Sequence, residues 1–99
     1  MEEIMKTARW KGKIIARSDT FISLEGNIYF PPESVDRSFL GKSTHNTTCP
    51  WKGEASYYDV IVDGESNKNA AWYYPAPKEK AAHIRDYVAF WNGVDISDD

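Results

Sequence analysis

Ala55-Ser56-Tyr57-Tyr58-Asp59-Val60-Ile61-Val62, followed by Asp63-Gly64 and then by Asn69-Ala70-Ala71-Trp72-Tyr73-Tyr74, is the stretch that decides the fold. In the first run Ser56, Tyr58, Val60 and Val62 alternate with Ala55, Tyr57, Asp59 and Ile61, which is the period of two that a pleated strand imposes. Asp-Gly supplies the positive φ values that a tight hairpin needs. Asn69–Tyr74 then reads as the returning strand, with Ala70, Trp72 and Tyr74 on one face and Ala71 and Tyr73 on the other. Pro75 and Pro77 end it, because proline cannot donate to a ladder.

Upstream, Thr7–Trp10, Lys13–Arg17 and Thr20–Leu24 read as short strands parted by Lys11-Gly12 and Ser18-Asp19, an opening meander. Ile22 and Leu24 mark the more apolar face of the third. Glu25-Gly26-Asn27 predicts a turn and Ile28-Tyr29-Phe30 the return strand. Pro31-Pro32 stops it, and a short helix is expected next, with Glu33 at its N-terminus, Val35 with Phe39 or Leu40 on one face, and Gly41 at its end. Lys42–Trp51 is polar and turn-prone and reads as a loop held by Pro50. Downstream, Lys78–Asp86 predicts a helix of one or two turns and Tyr87–Trp91 a strand. Asn92-Gly93 is a hairpin signal after which Val94–Ile96 would pair back, leaving Ser97-Asp98-Asp99 as a frayed tail. The sum is a mainly β fold of antiparallel, twisted, packed sheets with one or two short helices, in a single domain over 1–99 with its core at about 7–96.

Composition agrees with one small packed core. The chain has 99 residues, enough for one domain that buries about 65% of the surface its unfolded form exposes. Four Trp, six Tyr and four Phe supply that burial. With 12 Lys and Arg against 15 Asp and Glu, the formal net charge is −3. A chain of that sign without a basic cluster is not expected to bind nucleic acid or an anionic membrane surface. No apolar run reaches the length of about 18 residues that a spanning helix needs, and Glu2 and Glu3 stand where a signal peptide wants basic residues. The expected compartment is the cytoplasm. Cys49 is the single cysteine, so neither an internal disulfide nor a multi-cysteine zinc site can form.

Several constellations carry chemistry in principle. Leu40-Gly41-Lys42-Ser43 ends like a phosphate-binding loop, but Asp36 stands where such a loop needs its earlier glycine. Asp59, Asp63 and Glu65 cluster at a hairpin tip and read as solvated turn charges. The densest stretch is Thr44–Gly53. There His45 or Lys52 could activate Cys49 as a nucleophile, or Cys49 could pack as a small apolar residue while Lys52 snorkels to water. No spacing among His45, Cys49, Asp59 and His83 matches a metal-ligand pattern, so neither metal nor cofactor is expected. The rings of Tyr57, Tyr58, Trp72, Tyr73 and Tyr74 serve either as core or as walls of a pocket.

Taken together, Ala8-Arg9-Trp10, Leu24-Glu25-Gly26, Tyr29-Phe30-Pro31, the run Cys49-Pro50-Trp51-Lys52-Gly53-Glu54-Ala55-Ser56-Tyr57-Tyr58 and Ala71-Trp72-Tyr73-Tyr74-Pro75 resemble the DUF427 family of domains of unknown function. The resemblance runs from about Thr7 to Ile96. It implies a β-tent arrangement like that of the cereblon ligand-binding domain and methionine sulfoxide reductase B, without their zinc cysteines. The nucleotidyltransferase-like label also attached to the family finds no support here, since the acidic cluster and glycine-rich loop of such chemistry are absent. By motif position, the resemblance places Arg9, Glu25, Tyr29, His45, Cys49, Lys52, Tyr57, Trp72 and Tyr74 around a family pocket.

Three readings of function follow. In the first, the domain binds a small molecule, with Trp72, Tyr74 and Tyr57 walling a cleft and Glu25, His45 and Lys52 fixing polar groups. In the second it is a small enzyme using Cys49 or an acid–base group among Glu25, His45 and Lys52. In the third it is a protein-interaction domain, with self-association as a homodimer included.

Overall fold

The computed structural model describes residues 4–98. The acidic Glu2-Glu3 of the N-terminus and the last residue of the tail, Asp99, lie outside them. Among the described residues nine strands run in chain order: β1 (Lys6–Trp10), β2 (Lys13–Ser18), β3 (Ile22–Leu24), β4 (Asn27–Tyr29), β5 (Leu40–Cys49), β6 (Gly53–Val62), β7 (Glu65–Tyr73), β8 (Val88–Phe90) and β9 (Asp95–Asp98). They form three sheets, ordered β2-β1-β9, β3-β4 and β5-β6-β7-β8. Every strand pair within them is antiparallel. Short 3₁₀ turns at Pro32–Ser34, Arg37–Phe39 and Glu79–Ile84 supply the helical content. Among the described residues no helix is long and apolar enough to cross a membrane.

The expected turns form where their chemistry demands. Glu25 and Gly26 take φ of 54° and 80°, Asp63 and Gly64 50° and 78°, Asn92 and Gly93 55° and 94°. The β6–β7 hairpin closes on Val62↔Glu65, as Asp63-Gly64 predicts.

Besides the helix expected between Pro32 and Gly41, which is two 3₁₀ turns parted by an extended Val35 that bridges Ala16, with Gly41 in β5 and paired to Asp59, two expectations from sequence are corrected. Lys42–Trp51 is not a loop: Leu40–Cys49 is a full strand paired with β6 from Leu40↔Val60 to Cys49↔Gly53. Residues 44–48 are exposed on both faces, so no apolar alternation marks the strand. It is held by its ladder and by the extended preference of its β-branched threonines. Only Pro50–Lys52 turns. The second correction is at the C-terminus. Asn92-Gly93 does turn the chain, but Val94–Ile96 does not pair back on β8. Instead Asp95–Asp98 pairs with β1, with Thr7↔Ser97 and Ala8↔Ile96 in register. Ser97 and Asp98 are therefore ladder residues rather than a frayed tail, and Lys6 and Asp98 form an ion pair. Closing β1 removes an exposed strand edge, while Val94 enters the core at 8% exposure.

Opposite faces of the β5–β8 sheet feed two apolar clusters. Val60, Val62, Ala71, Val88 and Phe90 pack with Ala8, Ile15, Ala16 and Phe30, with Tyr58 and Tyr73 against them. Ala55, Tyr74 and Ala89 pack with Tyr29, Ala81 and Ile84, flanked by Cys49, Trp51, Tyr57 and Trp72. Tyr29 and Phe30, both fully buried, are consecutive residues that enter different clusters, because successive side chains of an extended chain point opposite ways.

Candidate functional site

On the second face, strand register lays the rings in a row. Tyr57 is opposite Trp72, and Trp72 is opposite Ala89. Asn46↔Ser56 places His45 one step away, beside Tyr57, and their rings meet edge-on at 4.6 Å. Tyr74 follows Trp72 on the same face of the chain. Ala89 is too small to fill the space over its end of the row. Trp91, whose backbone N–H donates to the Ala70 carbonyl (3.0 Å), stands at the edge of that space. The result is a cavity of about 220 Å³ lined by Lys52, Tyr57, Trp72, Tyr74 and Trp91.

The tryptophans are fixed by their single donors. Trp72 Nε1 donates to the Tyr29 hydroxyl (3.3 Å). Its ring stands perpendicular to those of Tyr29 and Trp91, each at 6.2 Å. Trp91 Nε1 donates to the Asn69 carbonyl (2.7 Å). Asn69 lies at φ 56°, beside the irregularity that shifts the β6–β7 register between Tyr58 and Val60. Asp59 is buried within β6 and not the solvated turn charge expected from sequence, and its carboxylate secures the kink by accepting from Asn69 N (2.9 Å). A bulge of this kind re-aims the groups around it.

Lys52 enters from the turn between β5 and β6, with only 9% of its side chain exposed. Its ammonium bonds the Glu25 carboxylate and lies 5.5 Å and 5.6 Å from the ring centres of Trp51 and Tyr74. The turn itself is braced by the third 3₁₀ region: Lys78 N donates to the Lys52 carbonyl (2.9 Å) and Lys78 Nζ to the Pro50 carbonyl (2.6 Å). Glu25 sits at the β3–β4 turn and also accepts from Trp51 Nε1 (3.3 Å).

These contacts set the protonation equilibria. The Lys52 hydrogen bond holds the Glu25 carboxyl below its ordinary 4.5. Burial works against the Lys52 charge, but the hydrogen bond to Glu25 and the neighbouring Tyr29 and Tyr74 phenols outweigh it, leaving Lys52 above 10.5. Burial raises the Tyr74 phenol above 10.0, against the pull of Lys52. Burial, then Tyr58, does the same for Tyr73. A carboxyl with a depressed pKa stabilises the fold above its unfolded value and loses that contribution as pH falls through the folded one. Groups with raised values contribute below their unfolded values and lose it as pH rises through the folded ones. The Glu25 contribution is therefore expected to be lost as pH falls below 4.5, and those of Tyr74, Tyr73 and Lys52 as pH rises above 10.0. Melting curves across pH check this, with Glu25→Gln flattening the acid side. An acid side unchanged in that variant would contradict the assignment.

Of the residues expected around a pocket, Lys52, Tyr57, Trp72 and Tyr74 line the cavity, Glu25 anchors Lys52, and Tyr29 supports Trp72 from beneath. Cys49 packs at the edge of the same cluster. His45 is exposed beside Tyr57. His45 and Cys49 lie on one strand four positions apart, a spacing of roughly 13 Å at the usual rise. That separation is too great for the imidazole to take the thiol proton directly. Arg9 lies elsewhere, on β1, where it donates to Ser97 Oγ (3.3 Å). Trp91 was not among the expected residues. The signal that points to it is parity, since Ala89 and Trp91 share a face and the first pairs with Trp72. Among the described residues no group of three His, Cys, Asp or Glu is placed to hold a metal ion.

A family model described as a domain of unknown function, DUF427, matches residues 5–99. None of the curated proteins compared with the chain matches it.

Proposed function

The chain belongs to the DUF427 family of domains of unknown function, and from that premise and the cavity we propose that it is a small-molecule binding module whose ligand presents a flat ring. The observation that carries this reading is the convergence of Tyr57, Trp72, Tyr74 and Trp91 with one buried lysine on a single cavity. Apolar walls with a few placed polar groups are the usual make-up of a ligand pocket. At about 220 Å³ the space exceeds the roughly 150 Å³ that accommodates benzene in an engineered apolar cavity, which suits a fused bicycle. Perpendicular Trp72 and Trp91 offer a planar guest one stacked and one edge contact, the two favoured aromatic geometries. That Trp91 is 53% exposed also supports the reading, because a large indole held by a hydrogen bond yet open to solvent provides a contact surface. The β-tent arrangement implied by the resemblance belongs to the same proposal, supported by the three small antiparallel sheets of the described residues.

Ligand-observed NMR on a set of planar mono- and bicyclic fragments tests it. Bicyclic fragments are expected to give saturable binding that is lost in Trp91→Ala, whose side chain lies at the rim and contributes little to the core. Binding that survives Trp91→Ala unchanged, or no binding by any planar fragment, would overturn the reading.

A further inference from the structure

We infer that the ring-bearing ligand carries a planar anionic acceptor, a carboxylate, which docks on the Lys52 ammonium. This inference rests on the flat-ring reading above and adds the ligand's charge. It follows from counting the donors that remain. An indole has one N–H, and both lining tryptophans have spent theirs, Trp72 on Tyr29 and Trp91 on Asn69. The Tyr57 hydroxyl is paired with Thr47 Oγ1 at 3.0 Å, and the Tyr74 hydroxyl is engaged with Lys52. The walls therefore present mainly carbon, and the one charged group among the five lining residues is Lys52.

An ammonium has three donors, of which the Glu25 carboxylate and the Tyr74 phenol take two. A ligand carboxylate meets the third in a site where the lysine side chain is 9% exposed and the glutamate side chain 47%. Water screens repulsion from the exposed Glu25 far more than it screens attraction to the buried ammonium, so the anion gains on balance. A cationic guest has the opposite difficulty. Lys52 already lies over the Tyr74 and Trp51 rings, so a second cation would face a like charge in a poorly hydrated space. A neutral ring carrying an amide fits the walls but forms a weaker, uncharged hydrogen bond.

The test uses three naphthalene probes of matched shape: 2-naphthoate, 2-naphthamide and 2-naphthylmethylammonium. The full chain is titrated with each, and the indole N–H signals of Trp72 and Trp91 are followed by NMR. The naphthoate is expected to bind about tenfold more tightly than the amide, and the cation more weakly than either. In Lys52→Gln, naphthoate and amide are expected to bind within about twofold of each other, while Lys52→Arg keeps the preference. Should Lys52→Gln fail to fold, salt decides on the unaltered protein, since naphthoate affinity alone must fall as ionic strength rises. Equal affinity for all three probes would overturn the charge assignment while leaving the flat-ring reading intact, as would a preference that persists in Lys52→Gln or a cation that binds most tightly. If no probe moves either indole signal, the flat-ring reading fails and this inference falls with it.

Discussion

Phe30→Ala is expected to destabilise the domain by about 3–5 kcal/mol, a large part of the roughly 5–15 kcal/mol that holds a domain of this kind together. Phe30 is fully buried, and its ring meets Phe90 at 5.7 Å. Its backbone is bonded in both directions to Val88, at 2.8 Å and 2.9 Å. Those backbone bonds survive the substitution, so β4 stays beside β8 and the vacated volume cannot collapse fully. The cavity cost then adds to the lost transfer energy. In a domain this small the melting temperature should drop by on the order of 20 °C. Phe30→Leu, which keeps most of the volume, is expected to cost less than about 1.5 kcal/mol. Thermal melts of both variants check the pair. A Phe30→Ala melt within a few degrees of the unaltered protein would mean that the two clusters are not joined through this strand.

Trp72→Ala is the substitution with the largest expected effect on binding. Trp72 is the central ring of the row and touches Tyr29 and Trp91 edge-on. Its removal takes away the stacking surface and frees Trp91 to move. The expected outcome is a loss of bicyclic-ring affinity on the order of 100-fold, with a stability cost of about 2–3 kcal/mol because the side chain is only partly buried. Trp72→Phe separates these effects. It keeps an aromatic wall and loses the hydrogen bond to the Tyr29 hydroxyl, so affinity should fall by no more than about tenfold. Fragment titrations against both variants, each first shown to be folded, check the prediction. Undiminished affinity in Trp72→Ala would place the ring site elsewhere.

The hairpin at the centre of the molecule is legible in the sequence because burial differs between its faces and Asp63-Gly64 admits one kind of turn. β5 is illegible for the complementary reason. His45, Thr47 and Thr48 are exposed, so period-two alternation leaves no trace in polarity, and the strand exists through partnership with β6. The C-terminal strand fails differently. Asn92-Gly93 specifies a turn correctly, but a turn does not choose a partner, and the open position was beside β1, at the far end of the chain. In the site, Tyr57, Trp72 and Tyr74 could be anticipated because alternation and the hairpin register bring them to one face, whereas Lys52, in a turn, is placed there by the family resemblance alone. Trp91 could not be anticipated so readily, because its orientation depends on the Asn69 carbonyl at a bulge. Arg9 sits in the motif pattern but on a different sheet, bonded to Ser97. The Glu25–Lys52 pair joins two turns that sequence marks only as turns.

The most direct test of the cavity as a ring-binding site uses the four tryptophans of the chain as built-in reporters, with each indole N–H signal assigned by single Trp→Phe variants. Titration with 2-naphthoate should move the Trp72 and Trp91 signals saturably and together, since both line the cavity. Trp10, packed in the other cluster, should stay in place. Equal movement of Trp10, or no movement of Trp72 and Trp91, would contradict the account.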